Sequence, residues 1–281
     1  MLWRVLTLMS LLAPMLMSGC GSGATTSSSG STGGASNSGD QPKPRAPSPN
    51  AVAFPQDKAT ATIKGTVSLN GQAPEMKPID MRGAAMCAAL HKTPVRREEI
   101  VANDGKLANA VVYVTSVGGK AIENVWTFDA PTTPATLDQK GCMYIPHVLA
   151  IQVDQTINVH SSDDFAHNAH YFGANRESND SYQTVGSMTS KTLTEPELGG
   201  KFVCNIHNWM SAYVNVFPHP FFAVTADGGT YTLPKLPPGE YELAVWHESA
   251  NDSGKLVPAE TINVKAGDNE TLQQDFTLKV K

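Results

Sequence analysis

Residues 60–69 alternate strictly, with Ala61, Ile63, Gly65, Val67 and Leu69 on one side and Thr60, Thr62, Lys64, Thr66 and Ser68 on the other. A period of two is that of a half-buried strand, and Asn70-Gly71 supplies the turn that ends it. Residues 98–102 and 107–116 read as two further strands around Asn103-Asp104-Gly105, a hairpin sequence, with a short helix expected before them over 83–90. Similar short periods return late in the chain. Residues 221–225 and 230–233 flank Asp227-Gly228-Gly229, and the stiff corner Leu236-Pro237-Pro238-Gly239 leads into 241–246. Strands of this length and turn spacing predict an all-β chain built from small antiparallel sandwiches.

The middle of the chain carries the chemistry. Residues 153–167 offer a turn, a strand and then His167 just past its end, while Lys201-Phe202-Val203 closes one strand and residues 211–216 open the next. Between those two lies Cys204-Asn205-Ile206-His207-Asn208-Trp209-Met210. One tight loop therefore supplies a thiolate, an imidazole and a thioether, and His167 adds a second imidazole. Two imidazoles and a thiolate in a plane, with a weak axial thioether, suit copper cycling between Cu(I) and Cu(II). The expected site is one mononuclear type 1 (blue) copper held by His167, Cys204, His207 and Met210. Zinc held by His167, His170, Cys204 and His207 is the alternative, and it leaves Met210 unused.

A strand leading into His167-Asn168-Ala169-His170, a Cys-x2-His-x2-Met loop and a closing strand together resemble the cupredoxins, and the short loop is most like that of amicyanin and plastocyanin. The resemblance covers about residues 136–217, including Tyr144-Ile145-Pro146. It implies a Greek-key sandwich with the ligand roles on His167, Cys204, His207 and Met210. It implies as well that Asn168 ties the two ligand-bearing segments together and that the ring edge of His207 reaches the surface and passes the electron. Asn208 departs from the pattern, since short-loop members often carry a proline there.

Residues 223–245 are similar to the carboxypeptidase regulatory-like, or transthyretin-like, module, with its Thr-x-Asp-Gly turn and Leu-Pro-Pro-Gly-x-Tyr corner. That module opens with a Gly-x-Val strand and a second apolar strand, which here lie upstream of the copper segment, at 63–69 and 107–115. The expected arrangement is nested: a transthyretin-like sandwich split into 59–130 and 218–281, with a cupredoxin domain, 131–217, inserted at a loop. The alternative places the early strands in an enlarged cupredoxin sheet that adjoins a separate C-terminal sandwich.

The N-terminus bears on location. Residues 1–19 hold a lone charge at Arg4 and an apolar run too short to span a bilayer, and Ser18-Gly19 precede Cys20. This reads as a signal peptide and resembles that of a bacterial lipoprotein, with Cys20 lipidated, an ordinary signal with an incidental Cys being the alternative. Gly21 resembles the sorting residue of outer-membrane lipoproteins, so the expected place is the cell envelope, periplasmic or outer-membrane associated if Gram-negative. Residues 20–58, rich first in Gly and Ser and then in Pro, are expected to be a disordered tether.

Export also frames the cysteines. With Cys20 lipidated and Cys204 on copper, Cys87 and Cys142 remain, to be paired as a disulfide or left as separate thiols. The formal charge is −5 and becomes one unit more negative without Arg4. No basic stripe with interleaved aromatics points to nucleic acid.

The expected function is that of a lipid-anchored carrier of single electrons, its partner a c-type cytochrome or another copper protein and its membrane contact the N-terminal lipid. Catalysis is not expected: the chain has no His-x-His pair for a second copper and no second Cys in the loop for a two-copper entry site. The reading from another class is a cell-surface module binding polysaccharide or envelope protein, with structural or storage copper. His147, His219 and His247 sit at strand edges or corners, where a second metal site would most readily form.

Overall fold

The computed structural model describes residues 48–173, 176–251 and 253–281, with backbone alone for 176–179. The signal segment, Cys20 and most of the expected tether lie outside the described residues. The regular structure is mostly strand, with two short α-helices, α1 (Ala85–Ala89) and α2 (Glu248–Asn251), and two single-turn 3-10 helices, Gln56–Lys58 and Ile122–Asn124. The all-β class follows directly.

Two apolar cores organise the strands. The first lies between two sheets. In one, Phe222–Val224, Val111–Val117, Gly239–Trp246 and Ile262–Ala266 are hydrogen-bonded in that order. In the other, Thr62–Asn70 is flanked by Phe276–Val280 and Lys106–Leu107. The alternation read from residues 60–69 is real: Ile63, Val67 and Leu69 are buried, with Leu107, Val112, Leu243 and Phe276 in the same core. Gly65 occupies an apolar-side position because the neighbouring chain runs against it. A Cβ there would lie 1.7 Å from the Gln274 carbonyl oxygen.

The second core lies between a five-stranded sheet, ordered Val148–Gln152, Ser211–Phe217, Glu197–Val203, His167–Gly173 and Arg176–Gln183, and a four-stranded one. The latter runs Met188–Thr192, Thr156–Ser161, Ala135–Lys140, Met143–Ile145. Leu137, Ile157, Val159, Tyr171, Phe202, Val214 and Val216 fill the space between them. Antiparallel His167–Gly173 and Glu197–Val203 are direct neighbours, with His170 opposite Val203. This pairing brings the segments that carry His167 and Cys204 to one end of the sandwich.

A third cluster joins the two cores. Val111 and Trp246 face away from the first core and meet Val148, Tyr213 and Phe217 of the five-stranded sheet. Alternate residues of one strand point to opposite faces, so Val112 and Val114 serve one core while Val111 serves the other contact. The apolar run in this strand reflects burial on both sides. His147 strengthens the seam: its Nε2–H donates to Glu248 Oε1 of α2 at 2.5 Å, and Nδ1 lies 3.2 Å from the Ser211 carbonyl oxygen.

Two boundaries differ from expectation. The tether was expected to run through residue 58, but Val52–Ala53 pairs in parallel with Trp126–Thr127. Phe54 packs on Trp126, Phe128 and Phe221, with ring centroids 5.2–5.3 Å apart, and this aromatic anchor gives order to a segment poor in other apolar residues. Residues 79–95 were assigned to the split sandwich. Instead Ile79, Met81, Ala84, Cys87 and Val95 pack on the second core, drawn there by a disulfide between Cys87 and Cys142.

Candidate metal centre

The loop after Val203 is short and closed on itself. Cys204 N–H donates to the Met210 carbonyl oxygen at 3.2 Å, and Met210 N–H to that of His207 at 2.9 Å. These bonds hold the start, middle and end of the loop, the three positions of its donor residues, in a fixed relation. His167 is the first residue of the adjacent strand. Asn168 ties strand to loop, its N–H donating to Cys204 Sγ at 3.5 Å and its Oδ1 accepting from Asn205 N–H at 2.5 Å.

Three donor atoms converge. His167 Nδ1 and His207 Nδ1 are 3.0 Å apart, and Cys204 Sγ lies 3.9 Å from the first and 3.7 Å from the second. A point equidistant from all three lies about 2.1 Å from each, close to the bond lengths of a first-row divalent ion to nitrogen and sulfur. His167, Cys204 and Met210 are 0–1% exposed, and Met210 belongs to the same core as Cys204. The residues present therefore fit a small metal ion with soft and imidazole donors.

The second nitrogen of His167 explains the orientation of its ring. Nε2–H donates to Asp163 Oδ2 at 2.9 Å, and Asp163, itself buried, also accepts from the backbone N–H of Gly141 at 2.7 Å and of Cys142 at 2.8 Å. A proton held on Nε2 leaves the Nδ1 lone pair free to face inward. Asp164 is exposed, whereas Asp163 belongs to the site, and its only signal in the sequence is its place four residues before His167.

Electrostatics follow the same geometry. Burial disfavours the Cys204 thiolate, but hydrogen bonds from His167 and from the backbone N–H groups of Asn168, His207 and Ile206 outweigh it, and the thiol sits below its ordinary pKa. Burial likewise disfavours the His167 imidazolium, yet Cys204 and Asp163 raise its pKa above the usual value. His207 is held below its usual value by burial and by the neighbouring His167. The pocket thus stabilises a thiolate beside a positive charge, a role that a metal cation fills with loss of the imidazole proton.

Aromatic groups close the site. Phe165 lies 5.4 Å from His167 and 6.1 Å from His207, and Trp209 lies 5.4 Å from His207, between ring centroids. His207 is only 8% exposed, so the open ring edge expected of it is largely covered by these neighbours. Tyr144, buried behind the site, donates to the carbonyls of Asn168 at 2.8 Å and Val203 at 3.1 Å, bridging the two ligand strands.

The remaining histidines lie elsewhere. His170 is three residues beyond His167 on a strand, hence on its other face, where its ring packs at a tilt against Phe172 and contacts Asn205. It is not among the clustered donor groups. Among the described residues, His147, His219 and His247 likewise form no cluster of donors able to share an ion.

No protein-family model matches the chain, and no curated protein sequence does. Among solved structures, part of the chain is similar to the Cu(I) form of an amicyanin mutant, at 18% identity over 38% of this chain and 98% of that one, with a TM-score of 0.28. A purple cupredoxin from Nitrosopumilus maritimus is similar at 21% identity over 29% of this chain and 98% of that one, with a TM-score of 0.27. A Cu-containing nitrite reductase from Thermus scotoductus SA-01 gives 22% identity and a TM-score of 0.28 over 37% of this chain, which spans only 25% of the length of that enzyme.

Proposed function

We propose that this chain is an exported, lipid-anchored protein that holds one type 1 copper ion and carries single electrons between redox partners. His167, Cys204, His207 and Met210 would hold the ion. The observation that carries this reading is the convergence of Cys204 Sγ and the two Nδ1 atoms, 3.0–3.9 Å apart, in a buried pocket. Copper bound there supplies the one-electron couple. The chain contributes rigidity: the loop closure at Cys204 and Met210, the Asn168 tie and the Asp163 bond hold the donors in place, so a change of oxidation state requires little rearrangement. Phe165 and Trp209 exclude water, and the electron leaves through the apolar surface around His207.

A carrier role, and no catalytic one, is the proposal because the loop between the two strands holds a single cysteine and so provides for one ion. The partner is a c-type cytochrome or another copper protein, and Cys20 lipidation would keep the carrier in the cell envelope. The nested organisation is likewise proposed: the first core draws on residues 61–126 and 221–278, on either side of the segment that builds the second. Deletion of residues 131–217 with a short joining turn tests it, since a folded remnant is expected and an unfolded one favours a separate C-terminal sandwich.

Visible absorption and electron paramagnetic resonance of the full chain loaded with Cu(II), beside Cys204→Ser, test the site. An intense thiolate-to-copper band with narrow hyperfine splitting, absent from the variant, is expected. A colourless protein, or one that takes zinc in preference, overturns the carrier reading.

One observation favours a second reading, a surface-binding module with structural copper. A cavity of about 320 Å³ opens where the two cores adjoin, lined by Trp126, Phe128, Gln152, Asp154, Pro196 and Pro218, an aromatic and polar mixture of the kind ligand pockets use. Reversible one-electron reduction with fast self-exchange distinguishes the carrier from this module, whose copper would be lost on reduction.

A further inference from the structure

The disulfide reaches into the metal centre. Cys87 Sγ, Cys142 Sγ and a ring nitrogen of His207 all lie within 4.8 Å of one another, and all three residues are buried. Cys142 Sγ is equally close to donor atoms of Asp163 and His167. As a disulfide the two sulfurs are uncharged and poor ligands; as thiolates they are the softest donors a protein has.

We propose that reduction of the Cys87–Cys142 disulfide opens a second soft-metal site, made by the two thiolates and His207, so that metal content depends on thiol redox state. Nothing in the carrier reading requires this site. It takes Cu(I) or Zn(II), ions that thiolate and imidazole donors suit; thiolates each about 2.3 Å from one ion stand roughly 3.8 Å apart, so the sulfurs, bonded to each other in the disulfide, part on reduction with the His207 nitrogen already within 4.8 Å of both.

The backbone that carries Cys142 is held by bonds other than the S–S bond. Cys142 N–H donates to Asp163, its carbonyl oxygen accepts from Trp209 Nε1–H at 3.0 Å, and His91 Nε2–H donates to the Gly141 carbonyl oxygen at 2.8 Å. Cys87 sits on α1, whose Met86 is 58% exposed, so the bond lies one layer beneath the surface. The Asp163 carboxylate beside Cys142 adds attraction for a cation.

The step balances with a dithiol reductant. The S–S bond breaks, its sulfurs take up two electrons and two protons, and the dithiol is oxidised to a disulfide. When an ion binds, both new thiols release their protons to solvent.

The test uses the full chain as Cys204→Ser, in which the first site has no thiolate, with cobalt(II) as probe. Oxidised variant should show no thiolate-to-cobalt band. After treatment with a dithiol and its removal under argon, one cobalt per chain with such a band is expected, lost on adding Cys87→Ala and Cys142→Ala. His207→Ala in the same background should weaken cobalt binding about tenfold or more. No band in the reduced variant, or affinity unchanged by His207→Ala, overturns the proposal. Should the variant unfold on reduction, the wild-type chain decides: zinc added after dithiol treatment should slow alkylation of Cys87 and Cys142, and equal rates with and without zinc end the idea. The copper spectrum of oxidised wild type separates the two readings. Its failure with a positive cobalt result removes only the carrier, and the converse removes only the second site.

Discussion

Asp163 and His167 form a buried carboxylate–imidazole pair, Oδ2 to Nε2 at 2.9 Å, in which the carboxylate is itself anchored by two backbone N–H groups of the Gly141-Cys142 turn. The ligand ring is therefore oriented from a different part of the chain than the one that bears it. Asp163→Asn keeps the size but removes the charge, and copper affinity should fall about 10- to 100-fold. A Cu(I) competition titration measures this, with circular dichroism to check that the fold is retained; unchanged affinity would make Asp163 a structural residue only.

Acid should loosen the chain through His219 and His247. Burial pushes both pKa values down to about 4, so each is kept neutral in the folded state. Their stabilisation is complete above the unfolded value of about 6.5 and is lost as pH falls toward about 4. Urea melts should show stability declining across that window, less steeply in His219→Gln.

At the seam His147 has the opposite sign. Burial lowers its pKa, but the hydrogen bond and charge of Glu248, with Glu98 nearby, more than compensate and leave it raised. Its contribution is present in full below about pH 6.5 and is lost as pH rises through the folded value. In His147→Gln the alkaline loss of stability should shrink, which thermal melts between about pH 6 and 9 resolve.

Gly65→Ala should destabilise by roughly 1–3 kcal/mol or more, because its methyl group meets the Gln274 backbone 1.7 Å away and the strand must shift. A drop in melting temperature without change in the copper spectrum is expected, since Gly65 belongs to the first core.

Removing the cross-link by Cys87→Ala with Cys142→Ala should cost about 2–4 kcal/mol, as it frees a loop of 55 residues. Chemical denaturation of the two proteins gives the difference directly.

The proposed ligands on the loop were legible because Cys204, His207 and Met210 fall within seven residues flanked by strands, so local pattern alone placed them on one loop. The alternation around Ile63 and the turn at Asp104 and Gly105, both with positive φ, were legible for the same reason. Asp163 was not, since what buries it is a backbone turn more than twenty residues upstream. Phe54 anchored a segment whose composition pointed to disorder, because one aromatic side chain in a ready-made cluster outweighs several polar neighbours. The attachment of residues 79–95 to the second core was equally hidden, resting on a partner for Cys87 that lies across the fold.

The strand Val111–Val117 has apolar groups buried on both faces, which makes its sheet one of the two inner walls of a four-layered stack. Either half expressed alone would show that wall, or its counterpart at Tyr213 and Phe217, to water, and would be prone to stick to copies of itself. The seam thus ties the stability of each half to the other, and the second sandwich cut out alone would need Tyr213 and Phe217 replaced by polar residues to stay in solution.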